Sequence, residues 1–198
     1  EENIDGEEID ATGEIPASVL RGMGDLGLFG IKIPTEYGGL GLSQTNYMRL
    51  LSTVAKHCGS TVATLSAHQS IGVPQPLKLF GTKAQKEKYL PMLAKGAVSA
   101  FGLTEPSVGS DPAKMSTTAT PTEDGKHWII NGEKLWCTNG VIADLYVVMA
   151  ATPPIVKNGR EIKQITAFIV ERDMPGIEVM HRCRFMGLKA LANAVIEF

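Results

Sequence analysis

The chain has 198 residues, 43% of them apolar and 20% charged, which places it far from the disordered regime; at roughly 100–200 residues per domain it is one large domain or two small ones. Nineteen basic against 21 acidic residues leave a formal net charge of −2, arguing against a nucleic-acid or anionic-membrane surface, and no apolar run approaches the ~20 residues that span a bilayer. Cys58, Cys137 and Cys183 are too few and too scattered for a disulfide framework, and Glu1-Glu2-Asn3-Ile4-Asp5 is acidic where a signal peptide is basic, so the expectation is a soluble protein of a reducing compartment.

Apolar residues fall at helical spacing up to about residue 98. A short helix is expected over 15–26, with Pro16 in its first turn, where a missing N–H does no harm. Residues 27–41 are rich in glycine and read as a turn-rich loop. Ser43 is an N-cap candidate for the next helix, in which Tyr47, Leu50, Leu51, Val54 and Ala55 follow at i, i+3, i+4, i+7 and i+8. A helix of small residues is expected over 60–71, with Pro74 and Pro76 ending it. Thr82 and Gln85 form a capping box for a charged helix over 83–93.

From Ala100 the period becomes two. Strands at 116–120 and 127–130 flank a Glu123-Asp124-Gly125 turn. Asn131-Gly132 predicts a type I′ hairpin leading into a strand over 134–138, because both residues tolerate the φ > 0 that this turn requires. Further strands are expected at 145–150, 164–170, 176–180 and 194–198. The fold class is therefore α+β, with an all-α helical domain over 1–98 followed by an antiparallel β-barrel or sandwich over 99–198.

General motifs of chemistry are absent: no Walker or Rossmann glycine loop, no paired-histidine metal helix, no nucleophile elbow. His57-Cys58 falls short of the three or four ligands a metal needs. Two places remain. Residues 100–111 form a strand running into a loop of Thr, Ser, Gly and Pro, able to bond the polar edge of a planar heterocycle or simply to turn. Trp136 and Thr138, at i and i+2 of a strand, share a face and could stack on an aromatic ring and bond its edge, or divide between core and surface. Cys137 points the other way and reads as a small hydrophobe.

The run Phe101-Gly102-Leu103-Thr104-Glu105-Pro106-Ser107-Val108-Gly109-Ser110-Asp111 resembles the signature segment of the acyl-CoA dehydrogenase family. Residues 131–140, Asn131-Gly132-Glu133-Lys134-Leu135-Trp136-Cys137-Thr138-Asn139-Gly140, resemble its second flavin-contact segment, and 28–39, 79–91, 166–172 and 186–190 fit in order. The wording of 67–72 is most similar to the very-long-chain branch. The resemblance implies an FAD cofactor, with Phe101, Leu103 and Thr104 along the flavin ring, Trp136 packed on it, Cys137 in the same cofactor segment, and the Thr138 hydroxyl reaching the hydride-accepting N5. Ser110 matches the position that meets both the FAD phosphates and the pantetheine arm of the substrate.

The reaction implied is α,β-dehydrogenation of a fatty acyl-CoA to the trans-2-enoyl-CoA, with an electron-transfer flavoprotein as acceptor. The family's catalytic glutamate belongs to a C-terminal helical bundle that would follow Phe198; nothing in these residues matches it, and Glu105 occupies a loop-forming position. The 198 residues alone are therefore expected to hold FAD weakly and to be inactive. The resemblance also implies a homo-oligomer for the intact protein, in the cytoplasm if bacterial and the mitochondrial matrix if eukaryotic. Alternatives are a non-catalytic flavin- or acyl-CoA-binding module and an acyl-CoA oxidase or nitroalkane oxidase relative.

Overall fold

The computed structural model describes residues 4–198. Six α-helices come first: α1 (Gly6–Thr12), α2 (Ala17–Asp25), α3 (Gln44–Ala55), α4 (Gly59–Ser70), α5 (Pro74–Phe80) and α6 (Lys83–Ala94). Eight strands follow: β1 (Ser99–Gly102), β2 (Thr118–Pro121), β3 (Trp128–Asn131), β4 (Glu133–Cys137), β5 (Leu145–Lys157), β6 (Arg160–Glu171), β7 (Glu178–Arg182) and β8 (Ala194–Glu197).

Helix ends follow local chemistry. Ser43 caps α3 by accepting the Asn46 N–H, and Thr82 and Gln85 form the expected capping box on α6. α1 was not anticipated, although its signals are present: the Asp5 carboxylate accepts from the Glu7 and Glu8 amides, and Gly13, at φ 69°, closes the helix. Pro74 does not simply end α4, as expected; it occupies the first turn of α5, where its missing N–H leaves no bond unmade.

The strands form a five-stranded sheet of order β1-β5-β2-β3 with β6 on the other edge of β5, and a three-stranded sheet of order β4-β8-β7. Pairing is antiparallel except where β5 meets β1 and β2, which run parallel to it. β2 and β3 form the expected hairpin, turning at Gly125. The hairpin expected at Asn131-Gly132 does not exist: β3 and β4 belong to different sheets. Gly132, at φ 149°, is the corner between them, and a Cβ there would lie 2.7 Å from the Thr117 Cα. Its amide and carbonyl bond Phe198 instead, so a contact distant in sequence wins over the local turn.

β5 explains the layering. Leu145 and Val147 on one face pack with Val73, Leu77, Leu90 and Leu93 of the helices. Tyr146 and Val148 on the other pack with Cys137, Ala194 and Ile196 of the small sheet. A strand covered on both faces is a continuous apolar run, as 145–150 is. A third core, containing Val19, Phe29, Tyr47 and Leu65, lies among α2, α3 and α4.

Helices and strands meet at His68, a fully buried residue of α4. Its Nδ1 accepts the Ser99 amide at 3.1 Å, and Nε2 faces the Phe29 carbonyl at 3.0 Å, so the neutral ring carries its hydrogen on Nε2. Burial lowers its pKa from 6.5 to about 4, against the opposing pull of the Phe29 carbonyl. The unfolded chain therefore binds a proton that the folded one refuses, and stability is complete above pH 6.5 and lost as pH falls toward about 4. Urea unfolding across that window should lose on the order of 3 kcal/mol from this group, and His68→Gln, which cannot titrate, should flatten that part of the profile.

Candidate functional site

The end of β1 and the loop after it lie beside β4, and a buried ion pair holds them together. Lys134 Nζ donates to Glu105 Oε1 at 2.8 Å and to the Leu103 carbonyl at 3.3 Å. Glu105 Oε1 also accepts the Thr117 amide at 3.0 Å, and Oε2 accepts the Ser116 amide at 2.7 Å and its hydroxyl at 2.6 Å. Both side chains are sealed from solvent. Burial alone would raise the Glu105 pKa; the bonds from Lys134, Ser116 and Thr117 outweigh it and hold the carboxylate far below its usual range. The Glu105–Val108 main-chain pair closes the bend, and the Leu135 amide donates to the Thr104 carbonyl at 2.8 Å. Thr104 and Leu135 are therefore fixed relative to each other.

Next to this anchor β4 bulges. Against β8, Lys134 pairs with Ile196 and Cys137 with Ala194, so β4 carries one residue more than its partner. Trp136 takes φ 55°, a left-handed conformation unusual for a bulky side chain. The bulge resets the alternation. Lys134 and Cys137 both point inward, while the Trp136 indole stands 58% exposed.

Phe101, Leu103, Thr104, Leu135, Trp136 and Thr138, with Ala67 of α4 and Ile71 just after it, line one cleft of about 270 Å³. Complete ligand pockets start near ~300 Å³, so there is room for a fused ring but not for a whole dinucleotide. Of the residues singled out in the sequence, Phe101, Leu103, Thr104, Trp136 and Thr138 converge here. Cys137 does not: its thiol is in the inter-sheet core, bonded to the Phe101 carbonyl, and burial pushes its pKa up to about 12. Ser110 is exposed on the loop and does not line the cleft.

Sequence reasoning missed the Glu105–Lys134 pair, the aliphatic contributions of Leu135 and Ile71, and Asn193, whose Nδ2 donates to Thr138 Oγ1 at 3.1 Å. A lysine inside an otherwise β-branched and aromatic stretch was a signal for the first. Nothing local marked Asn193.

The donor set suits a flat heteroaromatic ring such as a flavin. It offers an indole face, apolar walls and two hydroxyls, and none of the lining residues is charged. An open cleft of about 980 Å³ beside α1, lined in part by His57 and Cys58, and an apolar pocket of about 490 Å³ between α2 and α3 contain none of the residues that the resemblance assigns to the cofactor. Among the described residues there is no cluster of metal-ligating side chains, and no helix is long and apolar enough to cross a membrane.

Residues 1–97 match the family model of the acyl-CoA dehydrogenase N-terminal domain, and 100–198 that of the acyl-CoA dehydrogenase middle domain. The chain is 53% identical over 194 residues to a probable acyl-CoA dehydrogenase, FadE10, of Mycobacterium tuberculosis, an alignment covering 98% of this chain and 29% of the relative. It is 46% identical over 200 residues to the human mitochondrial very long-chain specific acyl-CoA dehydrogenase, covering 100% of this chain and 30% of that protein. It thus spans about three-tenths of the length of the curated relatives it matches. Among solved structures, a Bacillus anthracis acyl-CoA dehydrogenase complexed with FAD superposes with a TM-score of 0.82 at 36% identity, over 97% of this chain and 31% of that one.

The ion pair yields a stability test. Glu105→Gln leaves the Lys134 ammonium buried without its counter-charge and should cost about 3–5 kcal/mol in urea unfolding, whereas Glu105→Leu combined with Lys134→Met should recover part of that loss, the Ser116 and Thr117 amides still lacking their acceptor.

Proposed function

The chain belongs to the acyl-CoA dehydrogenase family, and from that premise we propose that the intact protein carries out FAD-dependent α,β-dehydrogenation of fatty acyl-CoA thioesters to trans-2-enoyl-CoA. The observation that carries this reading is the convergence of Phe101, Leu103, Thr104, Trp136 and Thr138 on a single cleft. Bound FAD would supply the two-electron acceptor, taking hydride from the acyl β-carbon.

The chain's own residues then divide the work. The Trp136 indole would pack on the flavin ring, its exposed face ready for a partner. The Thr104 hydroxyl and neighbouring main-chain groups would bond the ring's pyrimidine edge, and the Thr138 hydroxyl its hydride-accepting edge. Phe101 and Leu103 would exclude water, strengthening those bonds. Ser110, on the exposed loop, would serve the FAD phosphates and the pantetheine arm beyond the cleft. Cys137 would contribute main chain only, since its thiol is in the core.

The thioester α-proton is a weak acid, and its removal needs a base with a free lone pair and a raised pKa. Glu105 meets neither condition, because Lys134, Ser116 and Thr117 saturate its oxygens and hold it ionised. No carboxylate lines the cleft, and the proposal follows the family resemblance in assigning proton abstraction to a carboxylate outside these 198 residues and reoxidation to an electron-transfer flavoprotein.

The test uses the full-length protein. Anaerobic addition of a saturated acyl-CoA should bleach its visible flavin band. Trp136→Ala should weaken FAD binding by roughly tenfold, the equivalent of about 1.4 kcal/mol of lost ring contact. A full-length protein that takes up no FAD, or a Trp136→Ala variant of undiminished FAD affinity, would overturn the reading.

A further inference from the structure

Thr138 does not face its cleft alone. Asn193, in the turn before β8, is 5% exposed, and its main chain is tied at both ends: its N–H donates to the Leu191 carbonyl at 2.8 Å, and its carbonyl accepts the Cys183 amide at 2.9 Å. The residue after it, Ala194, pairs with Cys137 in β4 and Arg182 in β7. The Asn193 amide is thus carried on a rigid frame and delivers its Nδ2 hydrogen to Thr138 Oγ1 at 3.1 Å.

We propose that Asn193 is a positioning residue that sets the direction of the Thr138 hydroxyl hydrogen, holding it toward the cleft as a donor to the ligand's polar edge. A threonine hydroxyl has one hydrogen and two acceptor lone pairs. The amide occupies one lone pair, so the O–H cannot point back along that bond. Among the described residues no other side chain or main-chain acceptor takes that hydrogen, and Thr138 lines the cleft. Accepting a bond on the oxygen also polarises the O–H and makes it a better donor.

A second observation supports a role beyond packing. Asn193 Oδ1 is buried and has no hydrogen-bond partner. An unmet buried acceptor weakens a fold, and an apolar side chain of the same volume would avoid that penalty. The feature uniquely supplied by the amide is the N–H on Thr138. The opposite amide orientation would turn Oδ1 toward Thr138 and draw its hydrogen away from the cleft; the variants below separate the two arrangements.

The inference rests on the reading of Thr138 as facing the flavin, and the experiment tells the two apart. In the FAD-loaded full-length protein, the visible absorption bands and the flavin midpoint potential are compared for Thr138→Val, Asn193→Leu, Asn193→Asp and the Thr138→Val/Asn193→Leu double variant, with melting temperatures alongside. Thr138→Val should shift bands and potential. Asn193→Leu should shift them in the same direction by less, and the double variant should match Thr138→Val alone. Asn193→Asp, which keeps the shape but as a carboxylate accepts the Thr138 hydrogen, should shift them by more than Asn193→Leu; it also serves if the leucine variant does not fold. Should the Asn193 variants lower only the melting temperature while Thr138→Val moves the bands, or should the double variant be additive, the positioning role is overturned and the reading of Thr138 stands. If Thr138→Val itself leaves bands and potential unchanged, the flavin-facing reading of Thr138 falls, and the inference with it.

Discussion

The cleft depends on one charge pair. Glu105 lies in a loop that follows β1, Lys134 is in the small sheet, and no main-chain ladder joins β1 to β4. The contact between Lys134 and Glu105, with Ser116 and Thr117 completing the carboxylate's shell, fixes the loop against the strand. Two charges taken out of water stabilise a fold only weakly, because desolvation offsets their attraction. What the pair contributes here is specificity: the carboxylate has one place in which all its lone pairs are met. Thr104, the residue before Glu105, inherits that precision through the Leu135 amide.

The second constraint is the bulge. A regular β4 with Lys134 inward would have turned Trp136 inward as well and exposed Cys137. One extra residue inverts this, so a small thiol fills the tight space beside Ala194 and Ile196 while the large indole stands outside. The left-handed backbone at Trp136 is unfavourable for a bulky residue, and strain of this kind gathers where a side chain must be aimed. Ion pair and bulge act within three residues of each other on one strand: the first fixes where β4 lies, the second where its aromatic ring points.

What could be read in the sequence was what local chemistry decides. Ser43, Thr82 and Gln85 marked helix starts because a cap bond closes within three residues. The apolar run 145–150 marked a strand, and the structure covers that strand on both faces. What could not be read was decided by distant neighbours. Asn131-Gly132 has the composition of a tight turn, yet Phe198, far along the chain, takes the Gly132 main-chain bonds and Thr117 fills the space a side chain would need. Pro74 showed that a helix ends there but not that another begins. Alternation correctly set Cys137 opposite Trp136, for a reason other than the one supplied: the strand is irregular just there. Resemblance picked out five of the residues that share the cleft, but Ser110 is not among its walls, and Asn193, some 55 residues from the threonine it bonds, left no local trace.

The junction at His68 bears on how the molecule can move. Only residues 95–98 separate the last helix from the first strand. The imidazole between the Phe29 carbonyl and the Ser99 amide, together with Asn139 reaching the Thr64 and Ser99 carbonyls, fastens one half to the other across a buried seam. Ala67 and Ile71, which line the cleft, lie one residue before and three after His68 in the chain, and Phe101, which also lines it, is two residues beyond Ser99. The cleft thus has no hinge of its own. Its walls cannot part without breaking the bonds that His68 and Asn139 make across the seam.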